Sequence, residues 1–298
     1  MDGPLTACRL LALDIDGTLL GSDKRLSERT RRAVSAARDT GVRVVLVTGR
    51  RYPAARPIAV QLGAGIPLVL HHGALAVEPE PERDHEGVPR ILRCLPLDAE
   101  TVRAAIRIGR ESAADAVVHC GFRGEGRLLV AEIAADNEML AGYVSRAGRD
   151  RVPVGDLERD LPDDALQVMF AGRLPAMLDL YPRLVASLGA RAKVERTFYP
   201  AQGMGFLDVL HPRVSKGEAV TFLCARWGLR REETMAIGDN WNDHDMLTGA
   251  GRGLVMGNAD PALHALGLEV LPSNDDDGVA VAIEKYVLAP GSRGPEKA

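Results

Sequence analysis

Short apolar runs that each end in polar or glycine residues, separated by stretches with helical start and stop signals, constrain this chain most. Arg9 to Leu13 (RLLAL) ends in Asp14-Ile15-Asp16-Gly17-Thr18. A helical stretch follows, capped by Ser27 and stopped at Gly41, and then Val42 to Val47 (VRVVLV) ends in Thr48-Gly49-Arg50. Another helical stretch, about Pro53 to Leu62, leads to Pro67 to Leu70 (PLVL). Continuous apolar runs are the mark of strands buried on both sides, and their alternation with helices predicts a parallel sheet covered on both faces.

The alternation is lost from about Glu78, in the charged and proline-bearing EPEPERDHEGVPR, which reads as a linker. It resumes at Ser215, which caps a helix to Trp227 with Gly228 as its stop signal. Thr234 to Ile237 is then a strand ending in GDNWND, followed by a helix through Leu247 and a strand from Gly253 to Met256. A helix from Pro261, a strand from Leu268 to Leu271 and a helix from Gly278 to Leu288 complete the pattern. Between the two halves lie helical stretches (Ala99 to Ser112, Pro175 to Leu188) and candidate strands (Ala116 to His119, Arg127 to Ile133, Leu166 to Ala171, Phe206 to Leu210). The expectation is an α/β core of residues 1–81 plus 209–289, an α+β domain inserted at 82–208, and a disordered tail at 290–298.

The length of 298 residues suits two domains. Hydrophobic residues at 46% and charged residues at 26% fit a globular chain, and no apolar stretch approaches the roughly 20 residues that span a bilayer. A formal charge of −4 gives no global attraction to nucleic acid or an anionic membrane, so any phosphate must be met locally. Cys8, Cys94, Cys120 and Cys224 show neither disulfide nor zinc spacing and read as reduced, mostly buried thiols. With no signal peptide before Asp14, the cytoplasm is the expected compartment. Nothing in the sequence separates a monomer from a homodimer.

In open parallel sheets ligands bind at the carboxyl ends of the strands, where DIDGT, TGR, Lys216 and GDNWND all fall. Asp14, Asp16 and Asp239 brought together would repel unless a cation lay among them. Few carboxylates with water and substrate phosphate suit magnesium. An EF-hand is excluded, because the fifth, sixth and twelfth positions from Asp14 are Thr18, Leu19 and Arg25. Lys216 and the Thr48 hydroxyl add an anion site facing the metal, and a phosphoryl group is its natural occupant. One aspartate can attack phosphorus while its neighbour two residues on handles the proton of the leaving oxygen. Of 37 lysines and arginines only five are lysines, which draws attention to Lys216.

DIDGT, TGR, the SKG lysine and GDNWND, in that order and with a large insert between the second and third, resemble the haloacid dehalogenase superfamily, specifically its Cof-like phosphatases with the large inserted (type IIB) cap. VMGNAD and SNDDDGV near the carboxyl end resemble that subfamily too. The resemblance implies a Rossmann-like core with an inserted cap, and a magnesium-dependent phosphatase of small phosphorylated metabolites, sugar phosphates or nucleotide and cofactor phosphates. It implies that Asp14 is the nucleophile and a metal ligand, and that Asp16 is the general acid and base, lending its backbone carbonyl to the metal. Asp239 would be the remaining ligand, with Asp243 orienting the metal shell or Lys216. Ile15 and Gly49 through their amides, with Thr48, Lys216 and Asn242, would hold the phosphoryl oxygens, and the inserted domain would act as a lid. One departure is His71-His72-Gly73, where many relatives have Asn-Gly after the third strand.

A phosphomutase on the same scaffold is the alternative within enzymes, and a non-catalytic phosphometabolite sensor is the alternative outside them. The latter predicts loss of Asp14 or Asp16, and both are present. His85, His119, His211, His244 and His264 have no ligand spacing and read as packing or surface residues. Arg50 and Arg51 read equally as substrate contacts or surface charge. Arg123, Arg127 and Glu132 are specificity candidates by position alone.

Overall fold

Leu10–Leu13 (β1) is buried at every position, as an apolar run in a doubly covered sheet must be. The computed structural model describes residues 7–79, 89–122 and 126–289. The chain divides into two units, one of Met1–Arg50, Ala54–Pro81 and Ser215–Ala298, the other of Arg51–Pro53 and Glu82–Val214. The central part of the linker reading, His85, Arg123 and the tail at 290–298 lie outside the described residues.

In the first unit β1 is followed by α1 (Glu28–Asp39), β2 (Arg43–Val47), α2 (Tyr52–Leu62), β3 (Leu68–Leu70) and β4 (Leu75–Glu78). Ser27 caps α1 by accepting the Thr30 amide at 3.0 Å. Gly41, at φ 88, reverses the chain after it. The β4 strand was not expected; it returns antiparallel to β3 through the tight turn at His71–Gly73.

The second unit contains β5 (Arg90–Cys94), α3 (Ala99–Glu111), β6 (Ala116–Cys120), β7 (Arg127–Val130), α4 (Glu138–Arg146), β8 (Arg151–Pro153), β9 (Gln167–Arg173), α5 (Leu174–Leu188), β10 (Lys193–Tyr199) and β11 (Met204–Leu210). Six of these strands form one sheet in the order β10-β11-β9-β6-β7-β8. Phe170 and its neighbours on one face pack with α3 and α5, and Met169 and Ala171 on the other pack with Leu140 and Val144 of α4. The sequence reading missed α4, β5, β8 and β10. Its boundary at 208/209 cuts through β11, so the second unit runs on to Val214.

The first unit resumes with α6 (Lys216–Arg226), β12 (Thr234–Gly238), α7 (His244–Gly249), β13 (Arg252–Val255), α8 (Pro261–His264), β14 (Glu269–Val270) and α9 (Gly278–Ile283), the last continuing as a π turn over Glu284–Leu288. Within this unit the strand order is β14-β13-β12-β1-β2-β3-β4. All neighbours are parallel except β3 and β4. Registers Ala12↔Ala236 and Leu13↔Ile237 align the ends of β1 and β12, so the segments after them meet. No helix among the described residues is long and apolar enough to cross a membrane.

Candidate active site

Lys216 is the second residue of its SKG motif and the first of α6, yet it is only 2% exposed. Ser215 fixes the start of that helix by accepting the Glu218 amide at 3.0 Å. The Lys216 Nζ atom donates to Asp14 Oδ1 and to Asp243 Oδ1, each at 2.6 Å. The other oxygen of Asp243 accepts the backbone amides of Asp239 (3.1 Å) and Asn240 (3.0 Å). Gly238 permits this, because a Cβ there would lie 2.6 Å from the Asp243 carboxyl carbon.

Asp14, Asp239 and Asp243 offer carboxylate oxygens within 4.8 Å of one another. Thr18 donates its hydroxyl to Asp239 Oδ1 at 2.8 Å. Gly17, at φ 82, lets the turn approach so closely that a side chain there would strike the Asp239 carboxylate. Burial pushes Asp14 well above the usual carboxylate range; Lys216 opposes this, and Asp243 and Asp239 add to it. Asp239 is pushed up to about 7, by burial first and then by Asp243, against the Thr18 hydrogen bond and Lys216. Burial disfavours the Lys216 ammonium, but Asp14 and Asp243 outweigh it and hold the charge on.

Asp16 corrects one sequence expectation. Its carboxylate does not join Asp14 and Asp239. Arg50 takes both oxygens, Nε to Oδ2 at 2.6 Å and Nη2 to Oδ1 at 2.7 Å, and Lys24 lies 3.7 Å away. Burial raises its pKa, but Arg50 and the two lysines outweigh that and leave it below the ordinary value. Arg50 is thus neither loose surface charge nor idle. Arg51 is buried and donates to Asp150 (3.1 Å) and to the Gly126 carbonyl.

Thr48 is buried at the end of β2, its amide on the Val69 carbonyl (2.8 Å) and its hydroxyl accepting the Arg50 amide (3.1 Å). Ile15 is buried in the turn after β1 and its carbonyl accepts the amides of Leu19 (3.1 Å) and Leu20 (3.0 Å). Asn242 lies in the turn Trp241–Asp243, with a buried side-chain oxygen that has no hydrogen-bond partner among the described residues. His71 and His72 follow β3 with φ values of 50 and 58. Two successive non-glycine residues in this region carry strain of about 1–3 kcal/mol each.

Other sequence candidates have local partners of their own. His119 stacks on Tyr143, His244 packs against Trp241, His264 meets the Met256 carbonyl, and His211 accepts the Arg213 amide. Arg127 sits 3.7 Å from Asp164, and Glu132 is exposed. None of the four cysteines is in a disulfide; Cys120 and Cys224 are buried and Cys8 and Cys94 half-buried. The sequence reading missed Thr18, whose only signal is a hydroxyl two residues after Asp16, and the Arg50–Asp16 pair.

The donor set fits a hard divalent cation, since it consists of carboxylate oxygens and two of its members, Asp14 and Asp239, are held above their ordinary pKa by burial and then by neighbouring carboxylates. Lys216 beside it, with the Thr48 hydroxyl among the predicted phosphate holders, is the complement expected for a phosphoryl group.

Comparison with known proteins agrees. An HMP-PP phosphatase of Serratia proteamaculans is 30% identical over 284 residues, 95% of this chain and 96% of that protein. A 5-amino-6-(5-phospho-D-ribitylamino)uracil phosphatase of Bacillus subtilis is 25% identical, covering 93% and 97%. The crystal structure of a haloacid dehalogenase-like hydrolase from Bacteroides thetaiotaomicron superposes with a TM-score of 0.77 at 23% identity over 93% of this chain and 99% of that one, which establishes the common fold. Residues 11–283 match the family of haloacid dehalogenase-like hydrolases, and the chain belongs to that family.

Proposed function

We propose that this protein is a magnesium-dependent phosphatase of a small phosphorylated metabolite, working through an aspartyl-phosphate on Asp14. The observation that carries the reading is Lys216, buried and shared at 2.6 Å between Asp14 and Asp243, with Asp239 completing the acidic group. Two relatives are phosphatases named for small phosphorylated compounds, which supports the substrate class.

Asp14 attacks phosphorus with a carboxylate oxygen, and the bond from phosphorus to the leaving oxygen breaks. Asp16 enters this step protonated, gives that oxygen the proton and is left as the carboxylate that Arg50 clasps. Asp16 then takes a proton from water, whose oxygen attacks the phosphorus of the acyl phosphate. Phosphate leaves and the Asp14 carboxylate is restored. The amides of Ile15 and Gly49, the Thr48 hydroxyl, Lys216 and Asn242 hold the phosphoryl oxygens throughout. Asp14, Asp239 and the Asp16 carbonyl would hold magnesium, which would supply neutralising charge to the carboxylates and the phosphoryl group. Asp243 orients Lys216 and stiffens the turn through its two backbone hydrogen bonds.

The test is Asp14→Asn assayed on p-nitrophenyl phosphate with magnesium. Loss of hydrolysis with an unchanged thermal transition is expected; wild-type turnover overturns the reading. A panel of phosphorylated metabolites then identifies the substrate.

A further inference from the structure

The imidazole of His72 is built into the phosphate-binding loop. The chain turns sharply after β3, and both histidines of the turn are tied to the Thr48-Gly49-Arg50 loop. The His71 amide donates to the Arg50 carbonyl at 3.2 Å, and the His72 amide to the Thr48 carbonyl at 3.1 Å. His72 is 7% exposed, and its ring lies edge-on over Gly49, where a Cβ would sit 2.6 Å from both Cε1 and Nε2. The ring therefore takes the space that any side chain at position 49 would need. The next residue, Gly73, packs so closely on the Ser215 carbonyl that a Cβ there would collide with it. Ser215 is the cap of the helix that begins at Lys216. His72 thus stands between the loop of Thr48 and the start of the Lys216 helix.

At φ 58 glycine is free of strain, and histidine, like asparagine and aspartate, is several-fold favoured over most side chains, so the backbone accommodates the imidazole in a region where strain concentrates at functional sites.

The geometry points to His72 as a phosphoryl-binding residue, with Nε2–H beside Gly49 donating to an oxygen of the bound phosphate. This inference rests on the phosphatase reading, since that reading places the phosphoryl group against Thr48 and Gly49.

The test uses the full chain with magnesium and inorganic phosphate as probe, measured by calorimetric titration and as a competitive inhibitor of p-nitrophenyl phosphate hydrolysis. His72→Gly removes the ring and relieves the backbone. It should weaken phosphate binding about tenfold or more, the order expected for losing a hydrogen bond to a charged group. Free imidazole added to H72G should recover several-fold of that loss, a response that a purely structural role does not give. His72→Asn, which keeps a donor and suits the turn, should bind phosphate within about threefold of wild type. H72G that binds phosphate as tightly as wild type overturns the inference while leaving the phosphatase reading intact. A wild-type protein that neither binds phosphate nor hydrolyses the ester overturns the reading on which it rests.

Discussion

Arg50 clasps Asp16 with two nitrogens, Nε at 2.6 Å and Nη2 at 2.7 Å, and so holds this carboxylate apart from Asp14, Asp239 and Asp243. A two-pronged pair fixes orientation as well as charge. The two aspartates of DIDGT, only two residues apart, therefore face different partners: Asp14 meets Lys216 and Asp16 meets Arg50.

Arg50→Ala should leave the fold intact and lower kcat by about tenfold to a hundredfold, because Asp16 loses its orientation for proton transfer. The loss should be smaller on p-nitrophenyl phosphate, whose leaving group is a weak base, than on an alkyl phosphate, whose leaving oxygen needs the proton. Equal losses on both substrates would contradict a role through Asp16.

Lys216→Met removes the cation shared by two buried carboxylates. Breaking a buried pair by deleting one partner costs about 3–5 kcal/mol. Urea denaturation should show that loss at pH 8 and a smaller one at pH 5, where Asp14, already held high, can take up a proton instead. A variant as stable as wild type at pH 8 would contradict the geometry.

The metal-free protein should lose stability as pH rises. Folded, Asp239 titrates at about 7; unfolded, near its ordinary value of 3.8. Between those values the folded chain holds the extra proton, so the stabilisation is fully present below 3.8 and is lost as pH rises through about 7. Thermal unfolding in chelator should therefore fall from pH 5 to pH 8, and excess magnesium should raise it most at pH 8, where the carboxylates are ionised and ready to bind.

Thr18→Val keeps the shape of the side chain but removes the 2.8 Å hydrogen bond to Asp239. Groups that orient a metal ligand influence affinity by about tenfold to a hundredfold. The magnesium concentration giving half-maximal activity should rise about tenfold, with little change in kcat at saturation.

The strand ends were readable from the sequence because an apolar run such as LLAL has one physical meaning when Asp and Gly stop it, and Ser27 and Ser215 announce their helices by a local hydrogen bond. Pairings between distant side chains leave no such trace. Arg50 and Asp16 are 34 residues apart, and Thr18 and Asp239 are 221 apart; neither pair has a period or a spacing to betray it. In the second unit α4 had a usable signal in Asn137, which accepts the Leu140 amide. Its short length of 9 residues hid its apolar face. The expected strand at Leu268–Leu271 shrinks to Glu269–Val270, both exposed at the edge of the sheet.

The most direct test of the account is to trap the covalent intermediate. Wild-type protein mixed with substrate and magnesium, quenched in acid within one turnover and treated with borohydride, should show the acyl phosphate reduced to homoserine at residue 14 by peptide mass spectrometry. Asp14→Asn should show none. Rapid phosphate release with residue 14 unlabelled, or with the label on another residue, would contradict Asp14 as the nucleophile.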